Sequence, residues 1–164
     1  MGPESTAIDQ GAPRPPGLDF AFTIEAQIGV PLSGGRGTNG ERLHIAITGG
    51  TLKGPMLDGM IVAGGSDWPL IRPDGTSEIS AHYTILAGDG TPIYVRNRGL
   101  RVSSADMLAR LRASERVDPG AYYFRSVPLF DAPDGPHGWL RDRIFVARLE
   151  PGAGSIVIHV FVVQ

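Results

Sequence analysis

The chain has 164 residues, 15 Lys and Arg against 17 Asp and Glu for a net charge of −2, and no cysteine. That length suits about one domain with a real core, and the missing thiol excludes disulfides, cysteine–zinc sites and cysteine nucleophiles. The near balance of charge gives no general attraction to nucleic acid or to an anionic membrane.

Residues 1–17, with Pro3, Pro13, Pro15 and Pro16, read as a flexible arm, and residues 18–164 as one domain. The arm holds no apolar segment that could serve as a signal peptide. No apolar run in the chain approaches the roughly 20 residues a membrane helix needs. A cytoplasmic protein is expected.

From residue 18 onward alternation dominates. In LDFAFTIEAQI, Phe20, Phe22, Ile24 and Ala26 share one side, with Thr23, Glu25 and Gln27 on the other. RLHIAIT sets Leu43, Ile45 and Ile47 against Arg42, His44, Ala46 and Thr48. Strands are expected at 56–63, at ISAHYTIL (79–86), in TPIYVRNRG and in AYYFRSVPLF, and RDRIFVARLE with SIVIHVFVVQ forms a closing hairpin across Pro151-Gly152. Asp74-Gly75 and Asp89-Gly90 fall where hairpin turns are needed. One segment breaks the rhythm: SSADMLARLRASER (103–116) carries Met107, Leu108 and Leu111 at helical spacing, with Ser103 and Asp106 as a candidate capping box. Eight or more successive strands with one short helix predict an all-β fold. A single calycin-like antiparallel β-barrel is preferred to a sandwich, because closure removes exposed edges and a barrel mouth can hold a ligand.

Several motifs invite a chemical reading. Gly35-Arg36-Gly37-Thr38-Asn39-Gly40 matches G-x-G-x-x-G, but a strand follows rather than a helix, so it reads as a flexible hairpin loop and not a nucleotide site. His44 and His82 sit on the polar sides of their strands and could meet Glu25 across a barrel interior. Such a trio would satisfy a metal, although outward-facing imidazoles are the simpler account. Ser66 follows two glycines but has no evident base, which leaves a hydrolase triad without support. In IVAGGSDWPLIRPDG (61–75), an apolar run ends in two glycines and then delivers Asp67, Trp68 and Arg72. An acid, a large aromatic and a guanidinium in close succession can form a contact set for a small molecule. Asp67 could equally cap turn amides or pair with Arg72, and Trp68 could plug the barrel end.

Taken in order, GER (40–42), ITGGTLKGP (47–55), GGSDW (64–68), RPDG (72–75), the A-x-Y of SAHYTIL, the DG and I-Y-V-x-N-x-G of GDGTPIYVRNRG (88–99), YFR (123–125) and WL (139–140) resemble the DUF3237 family, also called UPF0311. The resemblance implies a compact antiparallel β-barrel with a central cavity, and it carries over as motif positions Asp67, Trp68, Arg72, Tyr83 and Arg125. Where similar proteins have arginine before the tyrosine of A-R-Y, this chain has His82. That exchange replaces a permanent cation with a proton-carrying group.

Two functional readings result. In the first, the chain is a cofactor-independent isomerase, cyclase or lyase. Asp67 is the general acid/base and His82 its partner, Arg72 and Arg125 hold an anion, and Trp68, Tyr83, Glu25 and His44 line the cavity and bind substrate. In the second, the same cavity belongs to a non-catalytic carrier or sensor for an aromatic or acidic small molecule. An interaction domain using the barrel exterior is a third option. Neither a cofactor nor a metal is called for, and a homo-oligomer is left open. The turn after the glycines is expected to aim both Asp67 and Trp68 inward.

Overall fold

Strand after strand in this chain buries every second residue, and the computed structural model, which describes residues 11–164, shows what that alternation builds. The strands are β1 (Leu18–Ile28), β2 (Leu32–Gly37), β3 (Gly40–Lys53), β4 (Gly59–Asp67), β5 (Leu70–Ile71), β6 (Ser77–Ala87), β7 (Pro92–Val102), β8 (Tyr123–Asp131), β9 (Phe145–Gly152) and β10 (Ser155–Val163). They run β1-β10-β9-β8-β7-β6-β4-β3, all antiparallel, and β1 pairs back onto β3. The result is a closed eight-stranded barrel, with β2 and β5 as short additions along its upper rim. Parity sets the faces. On β6, Ala81, Tyr83, Ile85 and Ala87 are buried inside, and on β8 Phe124, Ser126, Pro128 and Phe130 are inside while Tyr123, Arg125, Val127 and Leu129 face out.

Two glycine pairs let the wall close on itself. At Gly50 (φ 146°) a Cβ would lie 2.1 Å from the Glu25 carbonyl oxygen, so only glycine allows β3 to bend against β1 there. At Gly64-Gly65 the β4–β6 register slips between Val62 and Ser66, and a Cβ on Gly65 would sit 2.5 Å from the His82 oxygen. The slip is a bulge. The strand expected at 56–63 therefore runs on through the glycines to Asp67 instead of ending at them.

The lower end is filled with aromatics. Phe22 meets Phe130 at 5.5 Å, Phe130 meets Phe145 at 5.0 Å, and a 3₁₀ turn over Gly138–Asp142 inserts Leu140 beneath them with Trp139 against Phe145. The first residues of RDRIFVARLE belong to this turn, and the strand begins only at Phe145. At the upper end lies α1 (Ala105–Arg112), shorter than the expected 103–116. Ser104, not Ser103, caps it by accepting from the Met107 N–H at 3.1 Å.

Other local expectations meet mixed outcomes. The hairpin turns at Asp74-Gly75 and Asp89-Gly90 form, each aspartate accepting from the N–H two residues on. Residues 35–40 are the end of β2 and a tight turn into β3, with Gly37 facing Gly40, and not a loose loop. A bulge between Phe20 and Phe22 turns Phe20 outward onto Phe161, away from the face shared by Phe22, Ile24 and Ala26. Of the proposed arm, residues 1–10 lie outside the described residues; residues 11–17 are exposed and precede the first strand. Among the described residues no helix is long and apolar enough to cross a membrane.

Candidate functional site

Polar residues on an otherwise apolar inner face mark the upper third of the barrel. Asp67, the last residue of β4, points inward between Ile45 of β3 and Ala81 of β6 and is only 8% exposed. The Ser80 N–H donates to its Oδ1 at 3.0 Å. Burial raises the Asp67 pKa from the ordinary 3.8 to about 6, despite the opposing pull of the Ser80 and Trp68 amides and of the Arg101 cation. Tyr83, two residues beyond Ala81 on β6, and Asn97, opposite Ala81 on β7, face the same void. Burial pushes the Tyr83 pKa far above the usual phenol range, so its hydroxyl keeps its proton. Arg101 lies further up β7, where it donates to Ser77 Oγ at 3.0 Å and covers the Phe124 ring at 5.7 Å. Desolvation is the main influence on its guanidinium and lowers its pKa.

Several of these groups are buried without a partner: Tyr83 Oη, Asn97 Oδ1, Arg101 Nε and Ser126 Oγ. An unmet buried polar atom typically costs about 1–3 kcal/mol, and such atoms gathered at one end of a barrel call for an account. The void that Asp67, Tyr83 and Asn97 share has a volume of about 40 Å³. At ~10–15 Å³ per water centre it has room for roughly three waters, or for the reacting end of a larger molecule. Ile28, Ile45, Ile79 and Ile156, one from each of β1, β3, β6 and β10, line it from the upper side and are themselves partly exposed. They form an apolar collar around the opening.

The residues singled out in the sequence divide between the two faces of the wall. Asp67 and Tyr83 are inside. Trp68 is 41% exposed on the outside, because successive residues of an extended chain face opposite ways. The expectation that it joins Asp67 in the cavity is corrected by that parity. His82, between the inward Ala81 and Tyr83, is outward for the same reason and hydrogen-bonds the Tyr94 hydroxyl through Nδ1. It does not reach Asp67 inside. His44 is also outward; its Nε2 lies 2.8 Å from Ser66 Oγ, and its ring stacks on Trp68 at 5.6 Å. Ser66 thus has an imidazole beside it that the sequence did not reveal. Trp68 also meets His82 edge-on at 6.1 Å, which makes an outer aromatic cluster. Arg72 is half-exposed and paired with Glu78, while Arg125 faces out over the Tyr123 ring and donates to the Phe124 carbonyl. Glu25 is exposed on β1, opposite Thr51 and far along β3 from His44. Glu25, His44 and His82 therefore do not converge on the interior, and among the described residues no group of three or more His, Asp or Glu side chains is placed to hold a metal.

Asn97, Arg101 and Ser126 were not singled out in the sequence. The signal was present in IYVRNRGLR, where Ile93 and Val95 inside place Asn97, Gly99 and Arg101 on the same face.

Residues 16–163 match the model of the family described as "Protein of unknown function (DUF3237)". The chain belongs to the DUF3237 family. The UPF0311 protein RPA1785 of Rhodopseudomonas palustris is 36% identical over 141 residues, which span 86% of this chain and 92% of that one. The crystal structure of the R. palustris protein of unknown function RPA1785 superposes with a TM-score of 0.87 at 35% identity, covering 93% and 100% of the two chains. A "beta-barrel like protein" of Acinetobacter baumannii superposes with a TM-score of 0.80 at 27% identity, covering 94% and 100%. This DUF3237 chain also has a more distant likeness to a named enzyme. The hydroalkoxylation enzyme phnH of Penicillium herquei is 32% identical over 83 residues, 51% of this chain and 55% of that one. The crystal structure of an enzyme from the same fungus shares the DUF3237 fold, with a TM-score of 0.71 at 21% identity over 94% and 99% of the chains.

Proposed function

We propose that this DUF3237 protein is an enzyme that moves a proton to or from a small organic molecule at the upper mouth of the barrel, through its own side chains. The reaction belongs to the isomerase, cyclase or lyase type. The observation that carries the reading is Asp67: a carboxyl buried among isoleucines, titrating near 6, beside the unpartnered Tyr83 hydroxyl and Asn97 oxygen. Strongly perturbed groups in a cleft are candidates for acid–base work. At pH 7 a carboxyl of this kind is mainly ionised with roughly a tenth protonated, so it can both accept and return a proton.

The neighbours divide the remaining tasks. Tyr83 offers a hydroxyl donor that burial keeps protonated, and Asn97 offers an amide oxygen to a substrate hydroxyl. Arg101 supplies a fixed positive charge that favours a developing oxyanion. The hydroalkoxylation named for the Penicillium relative fits this inventory as chemistry. When an O–H adds across a C=C bond, the O–H and π bonds break, C–O and C–H bonds form, and the proton passes from oxygen to carbon. Asp67 can take the proton from the hydroxyl and deliver it to the alkene carbon. The void's volume of about 40 Å³ suits only the reacting end of a substrate, whose body would lie over the isoleucine collar.

The test is Asp67→Asn, assayed by NMR in D₂O for deuterium incorporation and cyclisation in a panel of hydroxy-alkenes and enolisable ketones. A drop of about 10²–10⁴ in kcat is expected for the loss of one acid–base group. A folded variant with full activity removes Asp67 from the chemistry.

A further inference from the structure

The outer face of the wall carries a second feature that proton transfer at Asp67 does not use. Strands β8 and β9 pair through only two residues, Arg125 with Arg148 and Ser126 with Ala147, and then part. The parting leaves an open groove of about 700 Å³ across β7, β8 and β9, bordered by Leu18 and Phe161. This volume is in the range of small-molecule sites.

The lining has a definite chemistry. Three of its residues, Arg98, Arg125 and Arg148, are arginines, and none is acidic. Arg125 and Arg148 stand directly opposite each other in the antiparallel ladder, where like charges repel. Arg148 reaches Glu150 at 3.4 Å, whereas Arg125 rests on a backbone carbonyl and the Tyr123 ring. Between and beside the guanidiniums the floor is apolar: Val127 faces Arg98 across the β7–β8 ladder and is 48% exposed, Leu100 faces Arg125, and Phe161 faces Val146. A row of cations on exposed hydrocarbon, in a chain whose net charge is −2, complements an anion with a hydrocarbon body.

We propose that this groove binds a free amphiphilic carboxylate, with its head between Arg125 and Arg148 and its chain along Val127 and Phe161. The paired arginines relieve their mutual repulsion on a shared carboxylate, and the exposed apolar side chains gain cover. A second copy of this chain is a poorer occupant, because a two-fold contact would set the arginines against themselves.

Decanoate, titrated below its micelle concentration into the full chain and followed by calorimetry and amide NMR, tests this. The expected result is saturable one-to-one binding, with shifts confined to β7–β9, the start of β1 and the Phe161 end of β10, and decanol at least tenfold weaker. The Arg125→Gln/Arg148→Gln double variant and, separately, Val127→Asp should each weaken decanoate at least tenfold with unchanged circular dichroism. Asp67→Asn should bind decanoate as the parent does, so the fate of the groove is separate from that of the mouth. Equal binding of decanol and decanoate, unchanged affinity in both groove variants, or shifts centred on the barrel mouth would overturn the proposal. So would a dimer in sedimentation that decanoate does not dissociate, or association with phosphatidylserine vesicles without decanoate binding.

Discussion

Asp67 is a liability to the fold that the chain nevertheless keeps. Its carboxyl prefers to be neutral in the barrel and ionised in the unfolded chain, so folding tightens its hold on a proton. With the folded value raised to about 6 from 3.8, its favourable contribution is complete below the unfolded value and is lost as pH rises through about 6. For one group that difference amounts to about 3 kcal/mol. Asp67→Asn keeps the shape and the acceptor for the Ser80 amide while removing the charge. In urea melts it should be about 1–3 kcal/mol more stable than the parent at pH 8, with the advantage shrinking as pH falls to 4. A variant that gains stability as it loses activity is the pattern expected where a site is built at the fold's expense. A variant no more stable than the parent at pH 8 would show that the carboxylate is not under strain.

At the scale of the strand, parity decides almost everything about who meets whom. The alternation in ISAHYTIL and in RLHIAIT was open to reading, and with it the inward Tyr83, Ile45 and Ile47. The same rule already separated Trp68 from Asp67 and His82 from Tyr83, since neighbours in an extended chain cannot share a face. What the sequence could not show is where parity slips. The Phe20–Phe22 bulge reverses Phe20, and the Gly64-Gly65 bulge lets β4 continue to Asp67. Bulges leave only a faint signature in residue type, and glycine also has other uses. Gly65 is the sharper case for experiment. A methyl there would lie 2.5 Å from both the His82 oxygen and Tyr83 Cβ, so backbone must move. Gly65→Ala should lower stability in denaturant melts by about 1–3 kcal/mol, the usual range for overpacking. It should also broaden the Tyr83 ring signals in NMR.

For the whole molecule, the two ends of the barrel are filled differently. The lower end is packed solid by Phe22, Phe130, Phe145 and the inserted Leu140, and the upper end holds the unpaired polar groups. The closed antiparallel architecture was legible from eight or more alternating segments with turn signals between them. The plug was not, because WLRD is an irregular turn whose apolar residues find their partners only in three dimensions. Leu140→Ala should cost about 2–5 kcal/mol in stability, as for other large-to-small changes in a core, yet leave kcat within a few-fold when measured below the melting temperature. A collapse of activity in the folded variant would mean that the two ends are not independent.

On the proposed function, the isoleucine collar would make the upper mouth a sieve of a particular hardness. Each of Ile28, Ile45, Ile79 and Ile156 branches at Cβ and so has few rotamers to yield with. A ring of stiff teeth discriminates by shape more sharply than a ring of the same size made from pliable ones. Ile79→Leu, which changes branching and not volume, should widen the range of molecules turned over while leaving the rate on the best of them within about threefold, a shift that competition between a preferred substrate and its homologue one methylene longer would register.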